Sequence, residues 1–239
     1  MKVKDLGESG LIDLITNMVE GQPIANPNAN IDSSRVLVTI GDDAAAVCIG
    51  QQTQLYSTDT LVEGVHFTEV TASWEDMGWK ALASNISDIA AMGGLPMNAL
   101  ITLGLPEQTT VENIRHLYKG FIDIATDYNV TIVGGDIVRS PVLFITICIT
   151  GAIEREPMLR SAAQIGDMIA VTGYLGTSSG GLEVILQNLS LDKDIKQKLK
   201  TVHQRPIPRI QQGRIRFGNG VRSAMDISDG LVQDLSKLC

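Results

Sequence analysis

Apolar residues return every three or four positions through LGESGLIDLITNMV, residues 6–19, which is the spacing of one helical face. The Asn-, Pro- and Ser-rich NPNANIDSS, 26–34, breaks that pattern into a loop. RVLVTI (35–40) and QLYSTDTL (54–61) read as strands flanking GDDAAAVCIG. WEDMGWKALASNISDIAAMGG (74–94) reads as a helix closed by Gly93 and Gly94. PMNALITLGLP (96–106) is a strand, VENIRHLYKGFIDIATDYN (111–129) a second amphipathic helix, VTIVGGD (130–136) a strand running into a turn, and PVLFITICITGAI (141–153) another strand.

The grain changes at EREPMLRSAAQIGD, 154–167, which is more polar and carries turn residues, so a domain boundary is expected near 153–157. DMIAVTG (167–173) then reads as a strand, YLGTSSGG (174–181) as a glycine-rich turn, and LEVILQNL (182–189) as a helix. LKTVHQRPIPRIQQGRIRFG (199–218) reads as a helical stretch interrupted by proline. SAMDISDGLVQDLSKLC (223–239) enters a further helix and stops without a capping glycine or polar tail, so the second domain is expected to be incomplete. The alternation of strands and helices places the chain in the α/β (α+β) class, with domains at 1–153 and 154–239.

Composition narrows the function classes. With 44% hydrophobic residues the chain is globular, and a formal net charge of −8 argues against a nucleic acid or anionic membrane as partner, since a phosphate backbone calls for clustered Lys and Arg. Cys48, Cys148 and Cys239 are widely spaced and lack a CxxC pattern, which suits reduced thiols rather than a disulfide framework or a zinc site. No run of apolar residues is long enough to span a membrane, so the expected location is the cytoplasm.

The candidate chemistry is acidic. Repeatedly an apolar run delivers a carboxylate to the end of an element beside small residues: Asp42 and Asp43 in GDDAAAV, Asp59 after Ser57 and Thr58, Asp88 in NISDIAAMGG, Asp136 in VGGD, and Asp226 and Asp229 in DISDG. Each has a plain alternative as a turn former or helix cap, except Asp88, which falls inside a helix between Ile86 and Ile89. If such carboxylates converge, a pair about 5 Å apart repels by roughly 3 kcal/mol at an effective dielectric of 20, which bound cations would relieve. Hard oxygen ligands without histidine or thiol suit Mg2+ bridging carboxylates to phosphates. There is no GxxxxGK[ST] loop and no GxGxxG. His66 beside Val65 and Phe67 is either a substrate contact or a half-buried side chain, His116 and His203 look like surface residues, and Arg160 either pairs with phosphate or lies in a surface ion pair.

GDDAAAV, STDTLVEGVHF, KALASNISDIAAMGGLP, VGGDIVRSP, LRSAAQIGDMIAVTGYLG, HQRPIPRI and AMDISDGL, in this order, resemble the thiamine-monophosphate kinase family of the aminoimidazole-ribonucleotide-synthetase-like superfamily. The resemblance implies two α/β domains, the first forming a homodimer through a barrel-like interface, and transfer of the terminal phosphoryl group of ATP to thiamine monophosphate with several Mg2+ ions. It implies metal ligands at Asp43, Ser57, Thr58, Asp59, Asp88, Asp136, Asp226 and Asp229, ATP contacts at Gly135, Asp136, Arg160 and Ser228, and a substrate contact at His66. It also implies that backbone N–H groups at the last helix entrance ease the repulsion between Asp226 and Asp229. No general base is implied, because the attacking phosphate oxygen is already anionic. Family members continue past residue 239 into a segment with further substrate contacts. The alternatives are another ATP-dependent synthetase of the superfamily, or a metal-binding or dimerisation module without catalysis.

Overall fold

The computed structural model describes residues 5, 7–19, 35–187 and 189–238. The loop expected at 26–34 and Cys239 lie outside the described residues. Helix α1 (Gly7–Val19) is followed by strands β1 (Arg35–Val38), β2 (Ala45–Ile49) and β3 (Gln52–Val62), helix α2 (Trp74–Ala91), strand β4 (Leu95–Leu105), helix α3 (Val111–Tyr128), and strands β5 (Thr131–Arg139) and β6 (Phe144–Ile153). The strands form one six-stranded sheet in the order β1-β2-β3-β6-β4-β5, antiparallel throughout except for the β4–β5 pair. Strand β2 lies inside the motif that the sequence reading left between two strands, and its AAVCI pairs directly with β3.

Strict alternation decides which way the sheet faces. In β6 Ile145, Ile147, Ile149 and Ile153 are buried, while Phe144, Thr146, Cys148 and Thr150 take the other face. Helices α2 and α3 cover the first face. Each starts from a capping box, at Ser73 with Asp76 and at Thr110 with Asn113. They cross closely because a Cβ at Gly78 would land on the Leu117 carbonyl oxygen, and one at Gly120 on that of Glu75. Gly93, at φ +80°, ends α2 as expected, its N–H bonding the Ala90 carbonyl while that of Gly94 bonds Ile89, the Schellman arrangement.

Two expectations about strands need correction. VGGD does not turn: β5 runs through it, with Gly135 against Ile101 so closely that a side chain there would overlap the neighbouring strand's backbone. DMIAVTG forms no strand, because among the described residues nothing pairs with it, and Ile165, Met168, Ile169 and Tyr174 around it stand exposed. After a 3-10 turn at Arg160–Ala162, the regular elements that follow are helices α4 (Thr177–Gln187), α5 (Lys193–Gln204), α6 (Ile210–Gly218) and α7 (Leu231–Ser236). Helix α4 takes in most of the expected glycine-rich turn, since Thr177 to Gly181 are already helical.

RPIPR breaks the helical stretch between α5 and α6, as proline must, and fastens it to the first layer. Trp79 Nε1 donates to the Pro206 carbonyl at 2.8 Å and Tyr128 Oη to that of Pro208 at 3.0 Å. Arg205 reaches Asp76 at 2.5 Å and Glu75 at 2.8 Å. Helix α6 lies directly on α2, where Gly213 leaves room only for the Ala90 carbonyl.

Candidate functional site

The site is built where β3 passes the C-terminal half of α2. Alternation puts Ser57 and Asp59 on the helix-covered face of β3 and Thr58 on the open one, opposite Cys148 of β6. One helical turn of α2 supplies Asn85 and Asp88, both buried, with Ser87 beside them. Ser57 Oγ donates to Asp88 Oδ2, and Asn85 Oδ1 accepts the Asp59 N–H at 3.2 Å. The turn before β2 brings Asp43, and the segment before α7 brings Asp226, whose Oδ2 accepts from Ser87 Oγ at 3.1 Å. Asp43, Asp88 and Asp226 each offer one carboxylate oxygen, and these oxygens lie within 4.8 Å of one another.

Burial and mutual repulsion push these acids toward their neutral forms. Burial is the main cause for Asp88, with Asp59 and Asp226 adding repulsion against the Ser57 hydrogen bond, and its pKa rises to about 9. Asp43 rises to about 7, through burial and then Asp226, opposed by Arg160. Burial also raises Asp226, against its bond from Ser87, and raises Asp59, against the nearby His66. Arg160 pairs with Asp43 Oδ1, while Asp42 holds the turn by accepting from the N–H groups of Asp43 at 2.9 Å and Arg160 at 3.0 Å. Asp43 Oδ2 and Arg160 Nε are buried without a hydrogen-bond partner among the described residues. Three acids whose oxygens converge, one of them with a buried oxygen that has no partner among the described residues, together with the Ser57 and Ser87 hydroxyl groups form a set of hard oxygen donors that fits a divalent cation such as Mg2+.

Not every expected ligand joins this group. Asp136 is exposed on the edge strand, paired in register with Thr102 on the open face, and its Oδ1 accepts from the Ile137 N–H. Gly135 lies on the same strand. Thr58 points to the open face, so of Ser57, Thr58 and Asp59 only the side chains of the first and last face the acids. Asp229 is exposed and held by Lys237 Nζ at 3.0 Å and Gln233 at 3.3 Å. Ser228 is exposed one residue before it. His66 is exposed rather than half-buried, with Nδ1 accepting the Val62 N–H at 3.0 Å, and His203 is half-buried against Ser178 rather than on the surface.

The N–H groups expected to ease the repulsion between Asp226 and Asp229 are engaged elsewhere. Those of Ser228, Asp229 and Gly230 all donate to Asp234 Oδ2, each at 3.0 Å. Asp234 is 1% exposed and was missed by the sequence reading, as were Asn85 and Ser87. The available signals were Asp234's place four residues into the helix after Gly230, and the positions of Asn85 and Ser87 three and one residues before Asp88.

Residues 41–153 match the family model described as AIR synthase related protein, N-terminal domain. The chain is 39% identical to the thiamine-monophosphate kinase of Bacillus subtilis, over 87% of this chain and 66% of that protein. It is 37% identical to that of Aquifex aeolicus, over 100% of this chain and 72% of that protein. A solved structure described as AaThiL complexed with AMPPCP and TMP matches with a TM-score of 0.86 at 37% identity, covering 100% of this chain and 71% of that one. The chain spans about two thirds of the length of the curated relatives it matches.

Proposed function

Since the chain belongs to the thiamine-monophosphate kinase family, we propose that the intact protein transfers the terminal phosphoryl group of ATP to thiamine monophosphate, giving thiamine diphosphate and ADP. The observation that carries this reading is the convergence of Asp43, Asp88 and Asp226, with Arg160 paired to Asp43 beside them. Asp43, Asp88 and Asp226 would hold Mg2+ together with Ser57 and Asp59, and the bound cation would neutralise polyphosphate charge. Arg160 is tethered to Asp43 at one edge of its guanidinium, with a buried Nε that has no partner among the described residues, so its position is set before a nucleotide arrives. Ser228 stands exposed on the loop after Asp226, open to a phosphate that reaches it, and Asp229 beside it would hold metal if it exchanged its contact with Lys237 for the cation. His66 stands exposed past the end of β3, near Asp59, where it would meet the acceptor. None of these residues is asked to remove a proton, because the acceptor oxygen is already charged.

The same reading takes 1–153 as the metal-binding and dimerising domain and 154–239 as part of a second domain, in a cytoplasmic protein. What supports the dimer is the sheet face left uncovered among the described residues, where Leu100 is exposed and Thr60, Thr146 and Thr102 line up across β3, β6 and β4. In such a homodimer Gly135 and Asp136, held away from the acids of their own chain, would face the second copy. Phosphorus NMR of the protein with ATP, Mg2+ and thiamine monophosphate tests the proposal. Diphosphate signals of thiamine diphosphate and ADP should appear only with that acceptor and with Mg2+; their absence in the full-length protein would sink the reading.

A further inference from the structure

Asp234 is as buried as any apolar residue of the core, yet it is fully engaged. Its Oδ2 takes three successive amides, Ser228, Asp229 and Gly230, and its Oδ1 takes Lys237 Nζ at 3.0 Å. Gly230, at φ +118°, has a backbone conformation that residues with a side chain rarely adopt, and its amide joins the other two on one point. Three converging N–H groups at a loop before a helix make a nest that would otherwise receive an anion from outside. Here the anion belongs to the chain. What the loop leaves for a ligand is the exposed side chain of Ser228 and, two residues before it, Asp226, with Asp229 on the outside held by Lys237.

Resting on the nucleotide reading above, we propose that Asp234 is a positioning residue that fills the amide nest of 228–230 from within, so that this loop accepts phosphate only through a divalent cation. Two consequences separate this from simple structural support. Removing the carboxylate frees three amides to bind phosphate directly, and it releases Asp226 and Asp229 from the geometry in which they would meet a metal. Affinity for nucleotide with metal should therefore fall while affinity without metal does not. Generic damage would weaken both alike.

The test is calorimetric titration of the intact protein with the ATP analogue AMPPCP, with and without Mg2+, in parent, Asp234→Ala and Asp234→Asn, alongside amide hydrogen exchange read by NMR. In Asp234→Ala, exchange at 228–230 should quicken at least tenfold, and the ratio of the two dissociation constants, without metal over with metal, should drop at least tenfold. Asp234→Asn keeps a side-chain oxygen for the amides but removes the negative charge that neutralises them and Lys237, so it should keep their protection while metal-free nucleotide binds more tightly and the ratio falls at least threefold; it carries the test if the alanine variant does not fold. A ratio within twofold of the parent in the folded variants, or unchanged exchange in Asp234→Ala, overturns the proposal. A parent that binds no Mg-AMPPCP overturns the nucleotide reading itself, and this inference with it.

Discussion

Asp88 and Asp234 are both buried acids one helix position away from apolar neighbours, yet their surroundings are opposite. Around Asp88 the chain supplies one hydroxyl and three further acids, so its carboxyl is driven to about 9. Around Asp234 it supplies three amides and a lysine. The difference teaches that burial does not mark a ligand; an unbalanced partner count does. A region whose acids are satisfied internally is scaffold, and one whose acids are left in excess stores a repulsion that an arriving cation can release.

The largest effect that would break this comparison is on turnover. Asp88→Asn should cut the Mg-dependent kinase rate of the full-length protein at least about a hundredfold, while raising the thermal stability of the metal-free protein by about 1 kcal/mol or more at neutral pH, because the amide is neutral without the proton uptake that burial forces on the Asp88 carboxyl. Asp234→Ala should instead lower stability by about 3 kcal/mol, since it removes the one buried carboxylate that bonds three amides and Lys237. Denaturation of both variants under chelation decides the matter, and two shifts of the same sign would end the contrast.

The pH dependence sharpens the comparison further. Asp43 and Asp88 are raised from 3.8 to about 7 and about 9, so in the metal-free protein both keep a proton that the unfolded chain has lost. Their contribution to stability is full below about pH 4 and disappears as the pH climbs through 7 and then 9. The thermal midpoint without metal should fall across that window, and Mg2+ should restore it by binding the ionised native form. In Asp88→Asn the upper part of the fall should vanish.

Smaller effects test the edges of the site. Arg160→Ala leaves Asp43 buried beside Asp226 without its counter-charge, so KM for ATP should rise about tenfold, with a loss of about 3 kcal/mol in stability by chemical denaturation. His66→Ala should be the mildest, raising KM for thiamine monophosphate roughly fivefold with KM for ATP unchanged, as loss of a single exposed polar contact would. Equal changes in both constants would remove His66 from the acceptor side.

Most of the first-layer fold could be read along the chain. The capping residues Ser73 and Thr110 and the glycine stop at Gly93 act through neighbours a few positions away, and the alternation of β6 is a local property. The fate of 167–173 could not be read that way, because a strand exists only when another backbone pairs with it, and apolar alternation cannot say whether one does. In the site, Asp43 and Asp226 were legible as acids at element ends, and Asp88 as an acid inside a helix between isoleucines. Asn85, Ser87 and Asp234 were not singled out, because a residue that orients another carries no chemistry of its own in one dimension.

By itself the sequence determined the residue types and their periodicity, and with them the helices, the strands and a set of carboxylates without competing thiols or histidines. The tertiary structure alone decided which carboxylates meet. It gathered Asp43, Asp88 and Asp226 from a turn, a helix and a loop, turned Thr58 and Asp136 to the other side of the sheet, and tied Asp229 to Lys237. The physical reason is range: helical and strand preferences are settled within a few residues, whereas charge repulsion and burial depend on distances that only the folded chain brings about.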